Sequence, residues 1–164
     1  MIRNVFIDLD DTLFDFKAAE RAAMKKTLEE LSLSSDDETV KRYSEINKEL
    51  WRALERGEIS RSSLKVRRFE ILFSELRVQR SPEEAKTIYE SHLSNGHVFM
   101  PGAPELLEAL YGKYRLYLAS NGSLSVQVGR IKSSGISKYF EKMFISEAIG
   151  YAKPTLHFFE YCFS

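Results

Sequence analysis

What the chain lacks sets the first limits. A single cysteine, Cys162, excludes an internal disulfide, and this scarcity fits a reducing compartment, so a cytosolic protein is expected. No apolar run approaches the roughly 20 residues of a membrane span. The opening Met1-Ile2-Arg3-Asn4-Val5-Phe6 passes into a strand-like run without a signal-peptide pattern. Fixed-period repeats and low-complexity tracts are absent. Neither sign of charge is in excess: 24 basic residues balance 24 acidic ones, which removes any general attraction to a nucleic-acid polymer or an anionic membrane. The three histidines, His92, His97 and His157, form no recognisable ligand cluster and receive no catalytic role.

What is present is ordinary for a folded domain. With 43% hydrophobic and 29% charged residues in 164, the chain can bury one core plus a small helical appendage, and disorder is excluded. Arg61, Lys65, Arg67 and Arg68 form a basic cluster that reads as a solvated helix face. Tyr43, Trp51, Phe69 and Phe73 could stack on a base, but aromatics at helical spacing read first as core.

Val5-Phe6-Ile7 is a short apolar run ending in Asp8-Leu9-Asp10-Asp11, the pattern of a central strand in a parallel sheet whose polar end opens onto a site. Residues 114–120 and 142–146 are the other strand candidates. Four helices are expected between the first two strands. Asp15 caps the first, running to about residue 31; Ser35-Asp36-Asp37-Glu38 has capping-box spacing for the second; the third spans 62–76; Ser81-Pro82-Glu83-Glu84 opens the fourth. After the linker Met100-Pro101-Gly102-Ala103-Pro104 a helix over 105–111 returns the chain to strand, helix, strand, with Gly122-Ser123 opening a helix that Gly135 closes. The expected fold is α/β: a Rossmann-like parallel-sheet core from residues 1–14 and 98–164, interrupted by a helical module over 15–97.

Three signals fall at the C-terminal ends of these strands, where open α/β sheets bind ligands. Asp8 and Asp10, two residues apart in extended backbone, leave on the same side and form a carboxylate pair. Such a pair repels phosphate, at about 4 kcal/mol for unit charges about 4 Å apart in an effective dielectric of 20, so a cation must join them; Mg2+ suits carboxylate, water and phosphate oxygens. Ser120-Asn121-Gly122 sets a hydroxyl and helix N-terminal amides where phosphate can bind. At Lys153-Pro154, proline disfavours helical geometry at the lysine and fits the first position of a following helix, which holds an ammonium at the mouth of the site. Each signal alone is common in turns and caps; their shared position is what points to chemistry.

Asp8-Leu9-Asp10-Asp11-Thr12-Leu13, Ser120-Asn121-Gly122 and Lys153-Pro154 resemble the first three motifs of the haloacid dehalogenase (HAD) superfamily. The helical module resembles that superfamily's C1-type cap. Residues 6–16 and Gly150-Tyr151-Ala152-Lys153-Pro154 are most similar to its bacterial pyrimidine 5'-nucleotidase subgroup. The resemblance implies a magnesium-dependent phosphomonoester hydrolase acting on a small phosphorylated metabolite, with a nucleoside 5'-monophosphate as candidate. Asp8 is then the nucleophile that forms an aspartyl-phosphate and a metal ligand. Asp10 is the acid and base, and adds its backbone carbonyl to the metal. Ser120, Asn121 and Lys153 form the phosphate-binding set, Asn121 by supporting the Ser120 loop. Dehalogenating and phosphonate-cleaving relatives lack the acid at the position of Asp10.

The same resemblance implies a fourth motif, acidic residues after a further strand that also covers one edge of the Val5-Phe6-Ile7 strand. No such strand follows Lys153. The C-terminal part of the core is therefore expected to be missing, with little or no hydrolysis by residues 1–164 alone. Other readings stay open: a sugar phosphomutase or phosphoglycolate-type phosphatase of the same superfamily, a phospho-accepting receiver-like module, or a non-catalytic binding protein. No nucleic-acid or membrane partner is expected, and a monomer is the simplest state.

Overall fold

A computed structural model describes residues 2–164. The chain is α/β, and it divides into two compact units, residues 1–19 with 94–164 and residues 20–93. The first unit is built on three parallel strands in the order β1-β2-β3: β1 (Asn4–Ile7), β2 (Arg115–Ser120) and β3 (Phe140–Ile145). The period-two alternation of side chains divides the sheet's apolar residues between two faces. Ile7, Leu116 and Leu118 pack with Leu107 of α5 (Ala103–Leu110) and Ile131 of α6 (Leu124–Ser134). Phe6, Tyr117, Ala119 and Phe144 pack with Phe158 and Cys162 of α8 (Leu156–Phe163). Helices on both faces are what a parallel sheet requires. Burial pushes the Cys162 thiol above its ordinary pKa, the behaviour of a small core residue.

Among the described residues the first strand is not the central one its apolar run suggested but has one edge uncovered, as expected where no further strand follows Lys153. β1 pairs only with β2 and stands at the sheet edge, with Asn4 exposed and Val5 and Phe6 half-buried. Phe6 still carries the apolar load of a buried strand: it stacks on Tyr117 and meets Phe163 edge-on at 5.3 Å between ring centroids. After β1 the chain turns sharply. Leu13 N and Phe14 N both donate to Leu9 O, and Asp11 takes a left-handed φ of 58°. The segment leaving this turn pairs with the returning one, Asp15 N to Val98 O and Met100 N to Leu13 O. A short α7 (Ser146–Ile149), with no signal in the sequence, follows β3 directly.

The second unit is helical: most of α1 (Phe16–Glu30), then α2 (Asp37–Glu55), α3 (Arg61–Leu76) and α4 (Pro82–Asn95). Tyr43, Phe69 and Phe73 are buried, as the core reading of these aromatics holds, and the rings of Tyr43, Phe69 and Tyr89 pack together in tilted and edge-on pairs. Half-buried Trp51 lies under Arg61. The solvated-face reading of the basic cluster fails at Arg68, which is buried. Its guanidinium lies 4.6 Å from the Tyr89 ring centroid and donates to Asn47 Oδ1. Arg68 follows Leu64 and precedes Phe69 on the inward face, so aromatic walls and an amide replace water around it. Buried Glu20 accepts from Ser44 and Asn47, which extends the same polar line.

One helix start in this unit also differs in detail. The N-cap of α2 is Asp36 rather than Ser35: Thr39 N donates to Asp36 Oδ1, while Ser35 bonds to Glu29. Asp36 is one residue closer to the helix and offers an anionic acceptor to its positive end. The Ser34 hydroxyl first, and then the Thr39 amide, hold its carboxyl down to about 2. A folded-state pKa below the unfolded one means that this stabilisation is complete above the ordinary carboxylate range and fades as pH falls toward 2. Thermal melts between pH 5 and 2 should therefore show a smaller acid-induced decline in Asp36→Asn than in the native protein; identical declines would exclude this cap as the source.

Candidate active site

The sheet brings the three sequence signals to one end. Asp8 follows β1, Ser120 is the last residue of β2, and Lys153 lies in the loop that leaves α7. Lys153 Nζ donates to Asp8 Oδ1 and to Ala119 O, both at 2.7 Å, which clamps the loop to the ends of β1 and β2. Leu9 N also donates to Asp8 Oδ1, while Asp8 Oδ2 has no donor among the described residues and the side chain is 45% exposed. One carboxylate oxygen is thus anchored and the other carries no donor among the described residues.

Asn121 ties the loops together. Its Nδ2 donates to Lys153 O at 2.9 Å and its Oδ1 accepts from Lys153 N at 2.8 Å, a two-bond pairing that fixes the lysine backbone. The same pairing joins the Ser120 loop, which carries Asn121, to the Lys153 loop. The Lys153–Pro154 peptide bond is cis, and Pro154 precedes the N-cap Thr155 of α8, so it is not the first helical residue.

The helix N-terminal amides are less available than the sequence suggests. Gly122 N donates to Ser120 Oγ, and Leu124 N donates to Glu147 Oε2 at 2.6 Å. Glu147 stands on α7, the element with no sequence signal, and takes the place of an anion at the α6 N-terminus.

Asp10 is 29% exposed, and donors from α6 hold it. Arg130 Nη1 donates to Asp10 Oδ1 at 2.5 Å, and Gln127 Nε2 donates to Asp10 Oδ2 at 2.7 Å. Gln127 Nε2 also reaches Ser120 Oγ at 2.9 Å. Arg130 is fully buried between this pairing, the carbonyl of Gly96 and the ring of Phe14. Neither α6 residue was identified from the sequence. The available signal was that Gln127 and Arg130 fall beside Val126 and Ile131, on the face those apolar residues mark as buried.

Among the described residues no cluster of three His, Cys, Asp or Glu side chains could hold a metal ion. His92 pairs with Glu30, His97 with Ser133, and His157 stacks on Tyr151. The donor set at the sheet end nevertheless suits a hard cation sparing of protein ligands. Asp8 presents a carboxylate oxygen without a donor, whereas both side-chain oxygens of Asp10 are engaged, which leaves its backbone carbonyl. A receiver-like acceptor has no place in this arrangement, because no aspartate follows Asp37 and the ends of β2 and β3 carry Ser120 and Ser146. Among the described residues no helix is long and apolar enough to cross a membrane.

A family model described as a haloacid dehalogenase-like hydrolase matches residues 2–163. The HAD-hydrolase YfnB of Bacillus subtilis (strain 168) is 32% identical over 161 residues, 98% of this chain and 68% of that protein. Its magnesium-bound crystal structure superposes with a TM-score of 0.91 at 32% identity, covering 99% of this chain and 71% of the other. Pyrimidine 5'-nucleotidase PynA of Streptococcus pneumoniae (strain ATCC BAA-255 / R6) is 36% identical over 157 residues, 95% of this chain and 66% of that protein. Pyrimidine 5'-nucleotidase YjjG of Escherichia coli (strain K12) is 29% identical over 157 residues, 96% and 68% respectively. The chain spans about two thirds of the length of these relatives.

Proposed function

The chain belongs to the haloacid dehalogenase-like hydrolase family, and from that premise we propose that it hydrolyses phosphate monoesters through a covalent intermediate on Asp8. The observation that carries this reading is the pairing of Asp8 Oδ1 with Lys153, with Oδ2 free of donors among the described residues, at the sheet end that also carries the buried Ser120 hydroxyl and the Asp10 carboxylate. An Asp8 oxygen attacks phosphorus, the bond from phosphorus to the ester oxygen breaks, and Asp10 gives that oxygen a proton. Water then attacks the aspartyl-phosphate, Asp10 takes back a proton, and the bond to Asp8 breaks to release inorganic phosphate. Lys153 and Ser120 supply the positive charge and the hydrogen bond that phosphoryl transfer demands. Asn121 keeps Lys153 in place through its backbone.

Asp8, through its free oxygen, and Asp10, through its backbone carbonyl, are the residues that would hold magnesium. When bound, the ion neutralises the repulsion between the phosphate and the carboxylates. An acid at position 10 favours phosphate esters over carbon–halogen bonds, because an alkoxide leaving group needs a proton and a halide does not. The names of PynA and YjjG support a nucleoside 5'-monophosphate as substrate, and the helical unit over residues 20–93 supports a C1-type cap within the expected 15–97.

The test is phosphate release by the protein at its natural length from nucleoside 5'-monophosphates, 2-phosphoglycolate and hexose phosphates, with magnesium and then with excess chelator. Release from pyrimidine 5'-monophosphates that falls at least about 100-fold on chelation is expected. Isomerisation of a hexose phosphate without net release would favour a mutase, and no turnover of any ester would overturn the reading.

A further inference from the structure

We propose that Gln127 is a positioning residue that sets two groups of the site at once: it directs the Asp10 carboxylate, and it turns the Ser120 hydroxyl into a hydrogen-bond donor aimed at the incoming phosphate. The consequences for turnover rest on the phosphatase reading above, whereas the bridge itself does not.

The orientation of the Gln127 amide is set by charge. Arg130 has only donors, so the Gln127 atom that receives Nη1 at 3.1 Å is the oxygen Oε1. Nε2 is thereby turned toward Asp10 Oδ2 and Ser120 Oγ. A flipped amide would face its N–H groups to the guanidinium and its oxygen to the carboxylate, two repulsions in place of three hydrogen bonds.

Ser120 is 1% exposed, and its hydroxyl has one proton and two lone pairs. Gly122 N donates to the oxygen at 3.1 Å and Gln127 Nε2 at 2.9 Å, so both lone pairs are taken. The proton is the one function left, and it must be given to a ligand. A phosphate oxygen, which only accepts, is the complementary partner. Asp10 is treated differently by the same amide. Each of its oxygens receives one donor from α6, which fixes the plane of the carboxylate and leaves the remaining lone pairs for the leaving group and water.

The loop is shaped around this amide. A Cβ at Gly122 would lie 2.7 Å from both Cγ and Cδ of Gln127 and closer still to Nε2. A side chain at 122 would therefore displace the glutamine from this position. The φ of Gly122 is not in the left-handed region.

Gln127→Leu separates positioning from packing when kcat/KM is compared between an alkyl phosphate, such as a nucleoside 5'-monophosphate, and p-nitrophenyl phosphate, whose leaving group needs little acid. The expected loss is about 100-fold or more for the former and about 10-fold for the latter, with the melting temperature nearly kept. Gly122→Ala, which retains every polar group but displaces the amide, should show the same split. Equal losses on both substrates would overturn the inference. If the native protein turns over neither ester, the phosphatase reading fails and a spectroscopic arm decides the bridge alone. In 15N-labelled protein the Gln127 side-chain amide signals should shift in both Asp10→Asn and Ser120→Ala, and signals that respond to neither would overturn it.

Discussion

Asp8→Asn is expected to lower phosphate-monoester hydrolysis by the natural-length protein by on the order of 10⁴-fold or more while leaving its melting temperature close to native. The substitution keeps the shape of the side chain and an oxygen that can accept from Leu9 N, as Asp8 Oδ1 does now at 2.8 Å. Lys153 keeps its second acceptor, Ala119 O, so the loop stays attached to β2. The side chain is 45% exposed, and the ion pair lost with it is one that water screens, which confines the effect on stability to a small value. What disappears is the nucleophile: an amide oxygen lacks the charge to displace an ester oxygen from phosphorus. Phosphate release above about one tenth of the native rate would remove Asp8 from the mechanism. A large fall in melting temperature would instead assign it a structural task.

How far the site was legible follows from where its residues lie. Asp8, Ser120 and Lys153 each stand where an apolar run ends, and a polar residue at the end of a buried strand is visible because its neighbours are not polar. Gln127 and Arg130 lie inside a helix, where polar residues read as solvent-facing unless the apolar face is located first. Arg68 was misread for the same reason on α3. Its charge suggested water, yet Leu64, Phe69 and Leu72 place it inward, among Tyr43, Phe69 and Tyr89. The edge position of β1 was legible only through the family resemblance, whose further strand would cover that edge and is not found after Lys153; the apolar run by itself suggested a central strand. Apolar content reports which faces of a strand are covered, whereas neighbours in the sheet are set by backbone pairing that side chains do not encode. Helix ends were legible to within a residue or two. The residual differences, Asp36 for Ser35 and Thr155 for Pro154, arose where adjacent residues competed for one cap.

The pairing of Asp10 with Arg130 carries the second large effect, on stability. Arg130 is fully buried, and among the described residues its acceptors besides Asp10 are Gln127 Oε1 and Gly96 O, while its Nη2 has no partner there. Asp10→Ala leaves that guanidinium without its counter-charge, and breaking a buried pair from one side costs about 3–5 kcal/mol. Because Asp10 is 29% exposed, water partly replaces it, and about 2 kcal/mol is the expected loss, a fall in melting temperature of about 4–8 °C for a chain of this size. Adding Arg130→Met removes the stranded charge and fills its volume against Phe14 and Phe16, the rings that now face the guanidinium. The double variant should therefore be more stable than Asp10→Ala alone, although it carries one more substitution. Denaturant melts of the native, single and double variants measure this directly. A double variant less stable than Asp10→Ala, with the two losses simply adding, would show that the charges are not coupled. The expected recovery would identify Asp10 as the group that keeps Arg130 tolerable inside the protein. Arg130 in turn fixes the Gln127 amide, so the acid of the site and the donor to phosphate stand in order through one buried charge.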